Sequence, residues 1–236
     1  MQAIILAGGK GTRLKPYTTI LPKPLMPIGD YPVLEIIIKQ LKYFGVEEII
    51  FAVGYLKELL QAFFDDGHKW KVKIRYSFEE KPLGTAAPIK LIEDLDDNFL
   101  VMNGDVLTNL NFQDFFNFHI KNQAYCTIST FSRQVPIDLG VIKLEDNNEL
   151  YDYIEKPVLD YQVSMGIYAL KKQVLDYIPE NIYLDFPSLM KILLMNKKKV
   201  IGYKFQGYWL DIGRPDDYNT AIDEFEKHKS EFLWET

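Results

Sequence analysis

The chain is poor in the residues that would staple or anchor it. Its single cysteine, Cys126, excludes an internal disulfide framework and fits a reducing compartment. Its three histidines, His68, His119 and His228, are far apart in the sequence and read as surface or packed residues rather than as a general-base cluster. No hydrophobic run approaches the roughly 20 residues of a membrane span. The first run, Ala3 to Ala7, is too short for a signal peptide and leads into glycines rather than a cleavage site. No membrane partner and a cytoplasmic address are therefore expected. Positive charge is not in excess either. With 27 Lys and Arg against 33 Asp and Glu, the formal charge of -6 excludes a protein whose main business is wrapping nucleic acid. No internal repeat, low-complexity linker or hexapeptide array occurs, which excludes a β-helical extension.

What is present is ample apolar material, 47% of 236 residues, enough for the core of one large domain spanning 1–236. Gln2 to Leu6 reads as a buried strand ending in a glycine-rich loop. Pro32 and Gly45 delimit a helix over Val33 to Phe44, and Glu48 to Val53 reads as a second strand, completing a βαβ unit. A helix from Leu56 to Phe64, a strand from Val72 to Ser77, a helix opened by Thr85 as N-cap, and a strand from Phe99 to Met102 continue the alternation. Pro88 falls in that third helix's first turn, where a missing N–H is harmless. The pattern predicts an α/β fold with a mainly parallel central sheet, helices on both faces, and a ligand site beyond the strands' carboxyl ends. From about Ala124, runs at Cys126 to Phe131, Gly140 to Leu144, Leu150 to Ile154 and Val163 to Leu170 are spaced like antiparallel strands. Helices follow at Phe186 to Met195 and at Asp216 to Lys229, the latter begun by Pro215 and carrying the chain to its end.

The segment from Leu6 to Leu14, with Gly8, Gly9 and Gly11, puts bare backbone N–H groups directly after a strand, where phosphate oxygens can approach closely. It fits neither the dinucleotide fingerprint, which wants glycine where Leu14 stands, nor the P-loop, which wants Gly-Lys-Ser/Thr where Gly9-Lys10-Gly11 occurs. On its own such a loop is equally well a tight turn. The surrounding charge favours phosphate. The first acidic residue is Asp30, yet Lys10, Arg13, Lys15 and Lys23 precede it, so an acidic chain has a locally cationic entrance. Lys23 lies between Pro22 and Pro24, which stiffen its backbone. Asp105, in Asn103-Gly104-Asp105, follows the strand Phe99 to Met102, and Asp211 sits between Gly207 and Gly213 after a short apolar run. Each alone reads as a turn aspartate. Together with the phosphate loop they suit Mg²⁺, which takes few protein carboxylates plus phosphate oxygens and water.

These residues resemble the sugar-1-phosphate nucleotidyltransferase family. The match covers nearly the whole chain: Leu6 to Pro27, Pro82-Leu83-Gly84-Thr85-Ala86, Asn103-Gly104-Asp105, Glu155-Lys156-Pro157, Gly166-Ile167-Tyr168 and Trp209-Leu210-Asp211-Ile212-Gly213, in the family's order. The resemblance implies the nucleotide-diphospho-sugar transferase fold, with a nucleotide-binding half at about 1–123, a sugar-binding half at about 124–214 and a C-terminal helix at about 215–236. It implies that Leu6, Ala7, Gly8, Gly9, Gly11, Thr12, Glu79, Pro82, Gly84 and Thr85 hold the nucleotide, with Arg13 on the departing pyrophosphate and Lys23 at the α-phosphorus. Asp105 and Asp211 would hold Mg²⁺. Asn103, Gly140, Glu155, Lys156, Gly166 and Asp211 would surround the sugar phosphate, with Lys156 neutralising it and Glu155 reaching hydroxyls. Where the family usually has Asn-Ala-Gly, this chain has Ser164-Met165-Gly166.

Members that use thymine or uracil often carry glutamine five residues before the glycine matching Gly84, where Glu79 stands here. A carboxylate only accepts, which suits the N1–H and N2–H₂ donors of guanine and opposes the O4 of a pyrimidine. The chain is thus most similar to the mannose-1-phosphate or heptose-1-phosphate guanylyltransferases, and GTP with such a sugar phosphate is the expected substrate pair. The alternatives are a UTP-, dTTP- or CTP-using member, a glycosyltransferase of similar fold, or a non-catalytic nucleotide-sugar-binding relative. A paired acidic motif, wanted by the glycosyltransferase, is missing after Asp105, where Val106 and Leu107 follow. Phe225, Phe232 and Trp234 read as packing on the domain or on a second subunit of a homodimer, and Lys197-Lys198-Lys199 as a solvated turn.

Overall fold

A computed structural model describes residues 1–234; the last two positions of the expected C-terminal helix lie outside them. In chain order the elements are β1 (Gln2–Ala7), β2 (Pro27–Ile28), β3 (Tyr31–Pro32), α1 (Val33–Tyr43), β4 (Glu48–Val53), α2 (Lys57–Phe64) and β5 (Lys73–Phe78). Then come β6 (Asn98–Asn103), β7 (Val106–Thr108), α3 (Phe112–Asn122), β8 (Cys126–Pro136), β9 (Val141–Leu144), β10 (Leu150–Ile154) and β11 (Val158–Lys171). The chain closes with α4 (Phe186–Met195), β12 (Val200–Phe205), β13 (Trp209–Asp211), α5 (Pro215–Lys227) and α6 (Lys229–Phe232).

One seven-stranded sheet, in the order β12-β8-β11-β6-β1-β4-β5, organises the molecule. β6, β1, β4 and β5 run parallel, as does the β12–β8 pair, and β11 is antiparallel to both its neighbours. The interior strand β1 is buried along nearly its whole length because helices cover both faces, which is why it reads as a continuous apolar run rather than an alternating one. Successive side chains still point to opposite sides. Ala3 and Ile5 join Val33, Ile37, Phe115 and Phe225 under α1, α3 and α5, whereas Ile4 joins Phe99, Phe186 and Leu193 under α4. The second half thus extends the same sheet, and the antiparallel spacing read there holds for the β8–β11 pair and the β9–β10 hairpin, while β12, which lies outside the runs read from the sequence, adds to β8 in parallel.

Other local expectations are corrected. No α-helix opens at Thr85. Instead Ala87–Leu91 forms a short 3-10 helix, and the Thr85 hydroxyl accepts the N–H of Phe186 at 3.0 Å, in the first turn of α4. The cap is real but serves a distant helix. The helix α3 was not read from the sequence, although Asn111 caps it by accepting the Asp114 N–H at 3.0 Å and Phe112, Phe115 and His119 bury one face. The C-terminal helix breaks at His228 into α5 and α6. Among the described residues no helix is long and apolar enough to cross a membrane.

Candidate active site

Strand order places the site. After β1 the chain builds β4 and β5 on one side and β6 on the other, so a crevice opens beyond the carboxyl ends of β1 and β6, where consecutive loops depart in opposite directions. A cavity of about 750 Å³ occupies that crevice. Its walls include Leu6, Ala7, Gly8, Gly9, Gly11, Thr12, Arg13, Lys23, Glu79, Pro82, Gly84, Thr85, Asn103 and Asp105. Every position that the resemblance assigns to the nucleotide lies on this one surface. Lys10 and Lys81 add further cationic groups, whereas Lys15 does not line it.

The glycines are required where the walls are tight. Gly8 leaves β1 so close to the Glu79 side chain that an added Cβ would lie 2.9 Å from Glu79 Oε1, and Gly54, after β4, meets the same oxygen at 2.9 Å. Gly11 sits at φ 58 against Thr18, whose hydroxyl donates to the Gly11 carbonyl at 2.7 Å. Gly9 by contrast meets nothing within 4 Å, leaving its backbone bare toward the cavity. The Glu79 carboxylate is held at the strand ends: Oε2 accepts the Leu83 N–H at 3.0 Å while Oε1 packs on the two glycines.

Lys23 begins a single 3-10 turn, Lys23–Leu25, between Pro22 and Pro24, and is only 9% exposed. Its ammonium pairs with Asp105 Oδ2. The other oxygen, Asp105 Oδ1, is buried without a hydrogen-bond partner. Asp211 arrives from the far end of the chain on β13, which pairs antiparallel with β7 so that Asp211 faces Val106, while the Asp105 carbonyl accepts the Ile212 N–H at 3.0 Å. Burial and the neighbouring Asp105 charge raise the Asp211 carboxyl above its ordinary range, against the opposing pull of Lys23 and Arg13. A Cβ placed on Gly213 would lie 3.2 Å from Asp211 Oδ2 and 3.3 Å from Arg13 Nη1, so these two groups abut the same glycine. Asp105, Asp211, Lys23 and Arg13 are thereby gathered from three separate stretches of sequence. The lone buried Oδ1 and the crowded pair of carboxylates are a donor set that fits a hard divalent cation. No group of three or more His, Cys, Asp or Glu with ligand geometry occurs among the described residues, so remaining ligands would come from substrate and water.

The positions expected around the sugar phosphate are less tightly collected. Asn103 lines the cavity, and Gly166, at φ 72 in an irregularity of β11, is pressed against it, with an added Cβ 2.5 Å from Asn103 Nδ2. Gly140 and Glu155 meet at the β9–β10 hairpin, where Tyr153 donates to Glu155 Oε2 at 3.1 Å and a Cβ on Gly140 would overlap the Tyr153 hydroxyl. Lys156 bends the chain into β11 at φ 43, a strained value for a lysine preceding proline. Gly140, Glu155, Lys156 and Asp211 do not line the cavity. Its walls do include Gly54, Tyr55, Ser77, Leu91 and Tyr183, none of which was singled out from the sequence. Gly54 repeats the strand-then-glycine signal of Gly8 and was legible; Tyr183 carries no local signal. Away from the site, His119 is buried against Thr127 at 2.8 Å with its basicity pushed down to about 4 by desolvation, a packed residue as read. Phe225 and Phe232 are fully buried, and Trp234 stacks on Tyr43.

Known proteins share this fold. The family model described as nucleotidyl transferase matches residues 2–228. The chain is 36% identical over 250 residues to a mannose-1-phosphate guanyltransferase of Schizosaccharomyces pombe, covering 99% of this chain and 68% of that one. It is 35% identical over 248 residues to a UTP–glucose-1-phosphate uridylyltransferase of Synechocystis sp., covering 94% and 62%. The chain thus spans about two thirds of the length of these curated relatives. The solved structure of HddC from Yersinia pseudotuberculosis, in complex with GMP-PN, superposes with a TM-score of 0.73 at 26% identity over 95% of this chain and 99% of that one. Taken with a family match that runs through both halves of the sheet, the fold and the glycine-lined crevice identify this chain as a member of the nucleotidyl transferase family.

Proposed function

We propose that this chain joins a sugar 1-phosphate to a nucleoside triphosphate with release of pyrophosphate, and that its preferred pair is GTP with mannose 1-phosphate or heptose 1-phosphate. The observation that carries the reading is the single crevice in which the glycine loop, Arg13, Lys23, Asp105 and Glu79 line one cavity with Asp211 beside it. In the reaction, an anionic oxygen of the sugar phosphate forms a bond to the α-phosphorus as the bond to the bridging oxygen of the β-phosphate breaks. The electron pair leaves on pyrophosphate, and no enzyme nucleophile or general base is needed. The chain's task is to hold two polyanions in line against their repulsion. Backbone N–H groups from Gly8 to Thr12 receive phosphate oxygens, Arg13 takes the departing pyrophosphate, and Lys23 leaves Asp105 for the α-phosphate. Asp105 and Asp211 would hold Mg²⁺, which would supply positive charge to the phosphate oxygens. Asn103 and Gly166 border the sugar phosphate, and Gly140, Glu155 and Lys156, beside the β9–β10 hairpin, are assigned to it by the family resemblance. Glu79 supplies the acceptors that favour guanine, and the guanyltransferase name of the S. pombe relative supports that choice. The similar identity to a uridylyltransferase favours UTP as the second reading.

The test is steady-state pyrophosphate release with GTP, UTP, dTTP, CTP and ATP, each crossed with hexose and heptose 1-phosphates. GTP is expected to give the highest kcat/KM. A pyrimidine preference overturns the guanine reading, and release of free nucleoside diphosphate instead of pyrophosphate overturns the reaction class.

A further inference from the structure

The segment from Ile182 to Phe186 leads into α4 in the second half of the chain, yet its Tyr183 walls the cavity of the first half. Its backbone is fixed on the Leu83–Ala87 loop. Leu184 N–H donates to the Leu83 carbonyl at 2.9 Å, and the Leu184 carbonyl accepts from Ala86 at 2.9 Å and Ala87 at 3.2 Å. Phe186 N–H donates to the Thr85 hydroxyl at 3.0 Å, and the Phe186 ring stacks on Tyr168 with centroids 3.9 Å apart. Gly84, at φ 90, lets this clasp close: an added Cβ would lie 2.5 Å from the Leu184 carbonyl oxygen and 3.2 Å from Tyr183 Cε2.

Tyr183 is thus attached to an immobilised neighbour, Leu184, that is only 8% exposed, while its own ring is 63% exposed and lines the cavity. Pro82, Pro88 and Leu91 line it too and carry no charge, so they offer nothing to a triphosphate. An exposed aromatic ring carried next to a fixed backbone segment, with uncharged residues on the same walls, suits the face of a flat heteroaromatic ligand. We infer that Tyr183 is a specificity-determining residue whose ring stacks on the nucleobase, and that the larger purine face gains more from it than a pyrimidine does. The inference rests on the proposed nucleotidyl transfer. It assigns to the clasp a second purpose: fixing the backbone that carries the ring, so that the ring's place on the wall is set before the nucleotide arrives.

Calorimetric titration of GTP and UTP into wild type, Tyr183→Ala, Tyr183→Phe and Ile182→Ala, with steady-state kinetics of each, tests it. Tyr183→Ala is expected to weaken GTP binding roughly five- to a hundredfold, the range set by loss of one base-aromatic stack. KM for GTP should rise with it, kcat should change little, and the GTP/UTP affinity ratio should shrink. Tyr183→Phe, which keeps the face, and Ile182→Ala, a neighbour that does not line the cavity, should bind as wild type does. Melting curves check that the fold is intact. An unchanged nucleotide Kd in Tyr183→Ala overturns the inference, as does an equal loss in Tyr183→Phe or Ile182→Ala. A wild-type preference for UTP defeats the guanine reading and the purine advantage by itself. The ring's contact with the base then stands or falls on whether Tyr183→Ala weakens UTP.

Discussion

Removing the charge of Lys23 reads out both the chemistry and the electrostatics of the site. The Lys23 and Asp105 side chains are 10% and 24% exposed, so their pair sits mostly out of water. Breaking a fully buried pair costs about 3–5 kcal/mol, and Asp105's residual contact with solvent reduces this to roughly 1–3 kcal/mol. In a chain of this length that corresponds to a fall in Tm of about 3–10 °C. Lys23→Met, which keeps the apolar stem packed, separates charge from volume and should behave like Lys23→Ala. Adding Mg²⁺ gives Asp105 a new partner, so it should raise the variants' Tm by more than that of the wild type. Loss of one preorganised cation at the α-phosphate should lower kcat by about 10²–10³-fold. Thermal melts with and without Mg²⁺, beside a continuous pyrophosphate assay, measure all of this. A folded Lys23→Met enzyme turning over within about threefold of the wild type would refute the electrostatic role assigned to the group.

Three further outcomes follow from the same geometry. Glu79→Gln replaces an acceptor-only group by one that also donates; kcat/KM for GTP should fall at least about tenfold while UTP gains, and an unaltered nucleotide ranking counts against the base contact. Asp211 holds its proton more tightly folded than unfolded, so it favours the fold below the ordinary carboxylate value of 3.8 and that contribution is lost as pH rises through the raised value. Asp211→Asn should therefore melt above wild type at neutral pH, with the advantage fading toward pH 4, while turnover drops by about 10²-fold; a pH-independent difference in melting contradicts the burial account. Gly84→Ala should cost at least about 2 kcal/mol, because φ 90 and the Leu184 carbonyl leave no room, whereas Gly9→Ala should leave stability within about 0.5 kcal/mol. Equal melts of those two variants disprove the clasp's tightness.

Much of this site was legible because its parts carry local chemistry. Gly8, Gly9 and Gly11 follow a strand, Lys23 sits between prolines, and Asp105 follows an apolar run, so each announces itself within a few residues. Strand direction is another matter. The run at Val200–Phe205 has the same period whether its partner is parallel or antiparallel, and only the seven-stranded order makes it parallel to β8. Thr85 shows the same limit for caps: its hydroxyl reads as opening the segment beside it, but the N–H it receives belongs to Phe186, 101 residues on. The helix α3 was missed although Asn111 and the Phe112, Phe115, His119 spacing were there to be read. Its buried face is built from phenylalanines and one histidine rather than aliphatics, a pattern that strands share. Tyr183 had no signal at all, because its place on the wall is created by hydrogen bonds between two loops distant in sequence.

The balance of charge in the crevice has a consequence that a purely cationic pocket would lack. Lys10, Arg13, Lys23 and Lys81 line the cavity, but Asp105 lines it too and Asp211 lies within its field. In this structure Lys23 is spent on Asp105. A bare triphosphate approaching the site meets a lysine already neutralised and two carboxylates that repel it. Asp105 and Asp211 would hold a divalent ion arriving with the triphosphate, whose charge would offset their repulsion of the phosphates, and Lys23 would then be free to turn toward phosphate. On the proposed reading, the carboxylates therefore do more than hold a metal. They keep the cations from binding every polyanion equally well, which would lower KM without speeding transfer and would retain pyrophosphate as readily as substrate. The stability lost by crowding Asp211 beside Asp105 is the cost of that discrimination, and it is why Asp211→Asn should make a firmer fold and a poorer enzyme.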